Sequence, residues 1–167
     1  MAVVSSLFCA KLPKVRQAIP NRKKYFFILG ITCLTFGSFA QKSDDTAAIK
    51  TLLTKEAATW RAGDFAGHSA CWQLRPYSRI LVSTPEGKTF DVPPAAMMNP
   101  DLKMGDGGFA EQSNIKISIT GTSAWVSHDE ISTDKSGAKT YTYEIRLLEK
   151  VKGEWKFVGQ SIHVYKP

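Results

Sequence analysis

Residues 140–165, TYTYEIRLLEKVKGEWKFVGQSIHVY, carry the pattern that decides the fold of this chain. β-Branched and aromatic residues are frequent on both sides of Lys152-Gly153, a dipeptide typical of a tight hairpin turn. We therefore predict two long antiparallel strands, Thr140 to Val151 and Glu154 to Tyr165. Burial is expected at odd positions up to Phe157 and at even positions from Ile162, a change of face that a β-bulge would explain.

Four shorter strands are predicted upstream, again from alternating apolar residues between turn residues. They are Arg79 to Thr84, Thr89 to Val92, Asn114 to Thr120 and Ala124 to Ile131. The segment 93–110 is rich in Pro, Gly, Met and Asp, and is predicted as a loop with a helical turn at Ala95 to Met98.

The period of the apolar residues is helical from Ser43 to Ala62, where Glu56 is the one polar residue in the buried series. Gly63 is suited to end this helix in a left-handed conformation, and Asp64 is suited to cap a second short helix that Pro76 closes. Helices followed by a run of strands predict an α+β domain, with the helices on one face of a curved antiparallel sheet.

Residues 1–40 have the composition of a secretory leader. The basic residues 22–24 precede an apolar stretch from Tyr25 to Phe36, and small residues at Ser38 and Ala40 predict signal peptidase cleavage after Ala40. We expect an exported protein, periplasmic or secreted, with one domain at 41–167 and no stable membrane anchor after cleavage. An uncleaved anchor is the alternative, and residues 1–20 are either a long basic region or the product of a misassigned start.

The formal net charge of +7 comes mostly from this leader. Residues 1–40 hold six basic and no acidic residues, which leaves 16 basic against 15 acidic residues in 41–167, a net charge of +1. Net charge therefore does not indicate a nucleic acid or an anionic membrane as a partner. Cys71 is the one thiol of the predicted mature chain, so we expect no internal disulfide and predict a small buried residue there.

Four sequence motifs extend over nearly the whole of residues 41–167. They are Trp60-Arg61-Ala62-Gly63-Asp64, the short aromatic helix that leads to Pro76-Tyr77, Gly121-Thr122-Ser123-Ala124-Trp125-Val126, and residues 147–158 of the closing hairpin. In this order they resemble the nuclear transport factor two-like superfamily, and within it the SnoaL-like small domains. The resemblance implies a cone-shaped fold, a pocket between the helices and the concave face of the sheet, and a homodimer. This fold hosts isomerases, dehydratases, binding modules and dimerisation domains, so the resemblance implies no single activity.

Two titratable residues, His128 and Glu130, are candidates for acid–base catalysis. Strand alternation places both on one face, which the resemblance implies is the concave one. An imidazole and a desolvated carboxyl group can both be tuned to exchange protons near neutral pH. Tyr77 or Tyr143 would then donate a hydrogen bond to a developing oxyanion. The alternative is two hydrogen-bonded polar residues with no chemical role.

A larger set of aromatic, sulphur-containing and polar residues is predicted to line the pocket. The set is Trp60, Trp72, Tyr77, Met97, Met98, Tyr143, Arg146, Gln160 and His163. Tryptophan and methionine at these spacings are also compatible with an ordinary core. Arg146 either faces the pocket and holds a ligand carboxylate, or pairs with Glu144 on the solvated face. The placement of His163 depends on the bulge, and its alternative is an exposed or hydrogen-bonded histidine.

Motifs for cofactors and metals are not found in the sequence. The histidines at 68, 128 and 163 lack metal-ligand spacing, and Gly87-Lys88-Thr89 lacks the earlier glycine of a phosphate-binding loop. We therefore predict no cofactor and no metal. The favoured function is the binding of a small apolar or amphipathic ligand by a module without enzymatic activity. The alternatives are an isomerase or dehydratase, and a homodimerisation module.

Overall fold

Two helices precede six strands in the part of the chain that the computed structural model describes, which is residues 36–99, 104–105 and 107–167, with side chains from Asp44 onward. The elements are α1 (Phe36–Ala62), α2 (Phe65–Ser69), β1 (Ile80–Ser83), β2 (Thr89–Val92), a 3-10 turn (Pro94–Met98), β3 (Phe109–Thr120), β4 (Ser123–Thr133), β5 (Lys139–Val151) and β6 (Glu154–Tyr165). The α+β class is as predicted. Most of the predicted leader, residues 1–35, lies outside the described residues.

Helix α1 begins at Phe36, seven residues before the predicted Ser43, and continues through Ala40. Gly63 follows it with a φ of 67°, the left-handed conformation that glycine adopts without a steric cost. Asp64 caps α2, because its carboxylate accepts a hydrogen bond of 2.9 Å from the backbone N–H of Gly67. Among the described residues, neither helix is both long enough and apolar enough to cross a membrane.

The six strands form one sheet in the order β2-β1-β6-β5-β4-β3. Four of the five strand pairs are antiparallel, but β1 runs parallel to β6, so the sheet is mixed rather than wholly antiparallel as predicted. The cause lies in the segment after α2. Trp72 already forms a parallel bridge with Phe157, and the chain continues along β6 in that direction until β1 begins at Ile80.

A β-bulge in β6 confirms the predicted change of face. Leu147 of β5 is opposite Gly159, and the next residue, Leu148, is opposite Phe157, so Val158 is the extra residue on β6. The bulge turns the even-numbered residues beyond it, from Gln160 onward, towards the helices. The odd-numbered residues beyond the bulge occupy the outer face of the sheet, which is the face away from α1.

The hydrophobic core lies between the middle turns of α1, around Ile49 and Leu53, and the inner face of the sheet. Ile49 and Leu53 of α1 belong to one cluster with Val126, Leu148 and Phe157 of the strands. The cluster also contains Cys71, which is fully buried as predicted. Burial raises the pKa of the Cys71 thiol, which disfavours the thiolate, the reactive form of a cysteine. The later turns of α1 face a cavity instead.

Candidate functional site

A cavity of about 350 Å³ lies between the later turns of α1 and the inner face of the sheet. One part of its wall is apolar and consists of Ala57, Trp60, Ile80, Val82, Val92, Met97, Ile162 and Val164. The remainder is polar and consists of Glu56, Arg61, His68, Glu130, Ser132, Thr140, Thr142, Glu144, Arg146 and Gln160. We call Glu56, Glu130 and Glu144 the carboxylate floor. The cavity thus has an apolar side and a strongly polar side.

Strand register brings the polar residues together. Alternation on β4 directs Glu130 inward, and on β5 it directs Glu144 and Arg146 inward. Arg146 is directly opposite Gln160 of β6, which faces inward because of the bulge. Helix α1 adds Glu56 from the other side, and all five side chains are buried.

The carboxylate of Glu56 contacts two side chains, the imidazole of His68 and the guanidinium of Arg146. Its Oε1 lies 3.1 Å from Nε2 of His68 and 3.5 Å from Nη1 of Arg146. Burial would raise the pKa of the Glu56 carboxyl, but the charge of Arg146 and the hydrogen bond from His68 outweigh it and lower the pKa. Glu56 is therefore ionised at neutral pH inside the protein. The other ring nitrogen of His68, Nδ1, has no hydrogen-bond partner among the described residues.

Arg146 is held by the floor and by β6. Its Nε donates to Glu144 Oε2 at 2.9 Å, its Nη2 is 2.5 Å from the same oxygen, and Nη1 donates to the side-chain oxygen of Gln160. Burial lowers the pKa of the guanidinium, but the surrounding carboxylates reverse this effect and raise it. The charge of Arg146 is thus engaged by protein carboxylates.

Glu130 is fixed by neutral donors. Ser132 Oγ donates to its Oε1 at 3.0 Å, and Gln112 Nε2 donates to its Oε2 at 3.1 Å. Burial would raise the pKa of Glu130, but the hydrogen bonds from Gln112 and Ser132 and the charge of Arg146 hold it well below its usual range.

His128 lies beneath the floor, with 2% of its surface exposed. Its Nε2 is 3.7 Å from Glu130 Oε2 and 3.6 Å from Glu144 Oε2. Both distances are longer than a hydrogen bond, and neither ring nitrogen has a hydrogen-bond partner among the described residues. His128 and Glu130 share the inner face, as predicted. Glu130 reaches the cavity, whereas His128 does not line it.

Comparison with known proteins relates this architecture to solved structures. No family model matches the sequence, and neither does any curated protein. An NTF2-like protein of unknown function from Shewanella baltica is 21% identical, with a TM-score of 0.58 over 75% of this chain and 97% of that one. The chain has the nuclear transport factor two-like fold.

Two further NTF2-like matches carry provisional enzyme names. A provisionally named dehydratase of the NTF2-like family from Streptomyces avermitilis is 14% identical, with a TM-score of 0.57 over 75% of this chain and 99% of that one. A provisionally named scytalone dehydratase from Novosphingobium aromaticivorans is 16% identical, with a TM-score of 0.58 over 77% of this chain and 89% of that one. At these identities the likeness establishes the NTF2-like fold and not an activity.

Five residues predicted for the site do line the cavity, namely Trp60, Met97, Glu130, Arg146 and Gln160. The alternative that placed Arg146 and Glu144 on the solvated face is wrong, because both are buried on the inner face. The alternative in which Arg146 holds a ligand carboxylate is disfavoured, since Glu56 and Glu144 occupy its donors.

The other predicted pocket residues lie elsewhere. Trp72 packs in the core against Phe157. Tyr77 is 66% exposed and donates to Glu149, and Met98 is also exposed because it comes at the end of the 3-10 turn. Tyr143 and His163 are on the outer face, where strand alternation and the bulge place them.

Three residues of the buried cluster around Arg146 were not predicted for the site from the sequence: Glu56, His68 and Glu144. Glu56 did carry a signal, because it was the one polar residue in the apolar series of α1. His68 and Glu144 carried no comparable signal. Their burial depends on which elements pack over them.

Proposed function

We propose that the cavity binds a small amphipathic molecule, with its apolar body against the apolar wall and its polar group on the carboxylate floor. The observation that carries this proposal is a cavity with one apolar side and one buried, charged side. Its volume of about 350 Å³ is within the range of small-molecule pockets, roughly 300–1,000 Å³.

The charge of the floor indicates the kind of polar group. The three carboxylates Glu56, Glu130 and Glu144 face the guanidinium of Arg146, which gives a formal sum of −2, and Arg61 elsewhere in the wall brings the charged side chains of the cavity to −1. A ligand carboxylate would add a further negative charge in a site of low dielectric constant. The site therefore favours a hydroxyl group or an amine, which can donate hydrogen bonds to carboxylate oxygens.

An acid–base enzyme is a second candidate, and it rests on the His68–Glu56 pair. Both residues line the cavity, and they join an imidazole to a carboxylate, two groups that exchange protons in general acid–base catalysis. Two NTF2-like proteins of similar structure bear provisional dehydratase names. In this proposal His68, rather than His128, is the acid–base residue, because His128 does not line the cavity.

A homodimer is supported by the outer face of the sheet. Four large apolar side chains, Trp125, Tyr143, Ile145 and Leu147, are exposed on neighbouring strands β4 and β5. Adjacent exposed apolar residues of this size mark interaction surfaces. A second copy of the chain is the occupant we propose, because this face is separate from the ligand cavity and leaves it free.

Export is proposed from the composition of residues 1–40. Mass spectrometry of the protein recovered from the extracytoplasmic fraction of the producing cell tests it. The proposal requires a mature amino terminus at Gln41, and recovery of the intact chain from the cytoplasm would contradict it.

Ligand binding can be tested with three probes that share one alkyl chain: octanol, octylamine and octanoate. Calorimetry on the metal-free full chain is expected to detect octanol and octylamine, with octanoate at least ~10-fold weaker because of the floor charge. Ile162→Trp fills the cavity and should weaken octanol binding, whereas the control Ile131→Trp places the same change on the opposite face of the sheet.

Equal loss of octanol binding in both variants would contradict the cavity as the site, as would tightest binding of octanoate.

The enzyme candidate has its own readout. A panel of hydroxylated amphipathic compounds incubated with the full chain is analysed for loss of water by mass spectrometry, and activity must fall in His68→Gln. Recovery of every compound unchanged would reject the enzyme candidate and leave ligand binding as the proposed function.

A further inference from the structure

His128 is a buried side chain whose polar atoms have no partners among the described residues. It is 2% exposed, and neither ring nitrogen has a hydrogen-bond partner. A neutral imidazole has one nitrogen that donates a hydrogen bond and one that accepts, and buried polar groups in native proteins are almost always satisfied. The position therefore indicates a partner that is not a protein atom.

The ring is directed at two carboxylates. Nε2 lies 3.7 Å from Glu130 Oε2 and 3.6 Å from Glu144 Oε2, and the three groups together offer ligand atoms within 4.8 Å of one another. These separations are too long for hydrogen bonds. They are close to the ~3.3–3.6 Å expected between ligands of a tetrahedral ion with bonds of ~2.0–2.2 Å.

Both carboxylates are held in place by other residues. Ser132 and Gln112 donate to Glu130. Glu144 accepts from Thr142 Oγ1 at its Oε1 (2.9 Å) and from Arg146 Nε at its Oε2 (2.9 Å), the oxygen nearest His128. Hydrogen bonds to ligating carboxylates are typical of metal sites, because they fix the orientation of the ligands.

The formal charge also fits. The three carboxylates of the floor and the guanidinium of Arg146 sum to −2, and a divalent cation would neutralise this charge. A proton on His128 is the competing explanation. A charged imidazolium between two carboxylates would be expected at hydrogen-bond distance from one of them, about 2.7–2.9 Å.

We propose that His128, Glu130 and Glu144 bind a divalent transition-metal ion. One imidazole and two carboxylates are a ligand set suited to Zn²⁺ and related divalent ions. The histidine pattern in the sequence does not indicate it. Two of the ligands are at i and i+2 on β4, and the third, Glu144, is the cross-strand neighbour of His128 on β5. This inference does not rest on the proposed ligand, although a bound cation would compete with an amine for the same negative charge.

The test uses the full chain treated with chelator and dialysed, titrated with Zn²⁺ by calorimetry. We expect one ion per chain, and a loss of affinity of at least ~10-fold in His128→Gln. The matched control is His163→Gln, which removes an exposed histidine from the outer face and should bind as the parent chain does.

A second variant keeps the test decisive if His128→Gln does not fold, as judged by circular dichroism. Glu130→Gln should also lose Zn²⁺ affinity, and Co²⁺ should give the visible absorption of a tetrahedral complex with the parent chain but not with Glu130→Gln. Absence of stoichiometric Zn²⁺ binding to the folded parent chain would overturn the proposal, as would equal losses in His128→Gln and His163→Gln.

The metal site and the proposed ligand can fail separately. Saturating Zn²⁺ should weaken octylamine and leave octanol nearly unchanged, because only the amine competes for charge. Octanol binding without Zn²⁺ binding would reject the metal site and retain the ligand cavity. Zn²⁺ binding without binding of any alkyl probe would reject the ligand cavity and retain the metal site.

Discussion

Glu56 of α1 and His68 of α2 are joined by a hydrogen bond of 3.1 Å between Oε1 and Nε2, and both side chains are buried. The bond connects two helices at the point where the apolar face of α1 gives way to the cavity. Because Glu56 also contacts Arg146, one carboxylate links α1, α2 and β5.

Replacing Glu56 by alanine should destabilise the domain strongly. The change leaves Arg146 and His68 buried without this carboxylate, and breaking a buried ion pair by removing one partner costs about 3–5 kcal/mol. Urea unfolding followed by tryptophan fluorescence measures the loss. The control is Glu86→Ala, which removes an exposed carboxylate paired with Lys166 and should cost far less, because solvent screens this pair. Equal losses in both variants would contradict the role of Glu56.

Asp45 should contribute stability that depends on pH. Hydrogen bonds from Lys150 Nζ and Trp155 Nε1 lower the pKa of its carboxyl below the ordinary value of 3.8. A lowered pKa in the folded state means that this stabilisation is fully present above the unfolded pKa, and is lost as the pH falls through the folded one. Asp45→Asn should therefore cost about 1–2 kcal/mol at pH 7.

The free energy of unfolding of Asp45→Asn should approach that of the parent chain as the pH falls below about 4. Urea unfolding of both proteins between pH 7 and pH 2 measures the difference. A gap that is constant over this range would mean that the charge of Asp45 does not stabilise the fold.

Gly108 should not tolerate a side chain. Its φ is 84°, and a Cβ atom there would lie 1.9 Å from the carbonyl oxygen of Thr133. Gly108→Ala should combine backbone strain with a clash and cost more than about 2 kcal/mol. Gly137 has a φ of 86° and open space around the added Cβ, so Gly137→Ala isolates the strain, at about 1 kcal/mol. Thermal melts compare the two, and a smaller loss at Gly108 than at Gly137 would contradict the clash.

A charge on the outer face should prevent homodimer formation. Ile145 is exposed among apolar neighbours, and Ile145→Lys would bury an ammonium group in the proposed interface. Size-exclusion chromatography with light scattering should give a dimer for the parent chain and a monomer for the variant. Thr51→Lys adds the same charge on the exposed side of α1 and should remain dimeric. A parent chain that is monomeric at high concentration would reject the dimer.

The secondary structure could be predicted from local signals because each signal is a short-range steric or hydrogen-bonding property. The prediction of β6 matches the observed Glu154–Tyr165, and Gly63 and Asp64 end one helix and cap the next as expected. The start of α1 was placed too late, and the parallel pairing of β1 with β6 was missed. The direction of β1 depends on where the incoming chain packs against β6, which local patterns do not contain.

The site was predicted only in part, for a similar reason. Strand alternation correctly placed His128 and Glu130 on the inner face, but not their depth relative to the cavity. Tyr143 was assigned to the pocket although alternation on β5 puts it on the face opposite Glu144. The sequence did not indicate which face of β5 is covered by α1.

The amino-acid sequence by itself determined the helices, the strands, their turns and the α+β class, because periodicity and turn chemistry act over a few residues. Only the tertiary structure decided that Glu56, His68, Glu144 and Arg146 meet in one buried cluster. These residues come from α1, α2 and β5, and Arg146 meets Gln160 because the bulge at Val158 shifts β6 by one residue. The chemistry of the site follows from that packing, since burial and long-range pairing give these charged groups their partners.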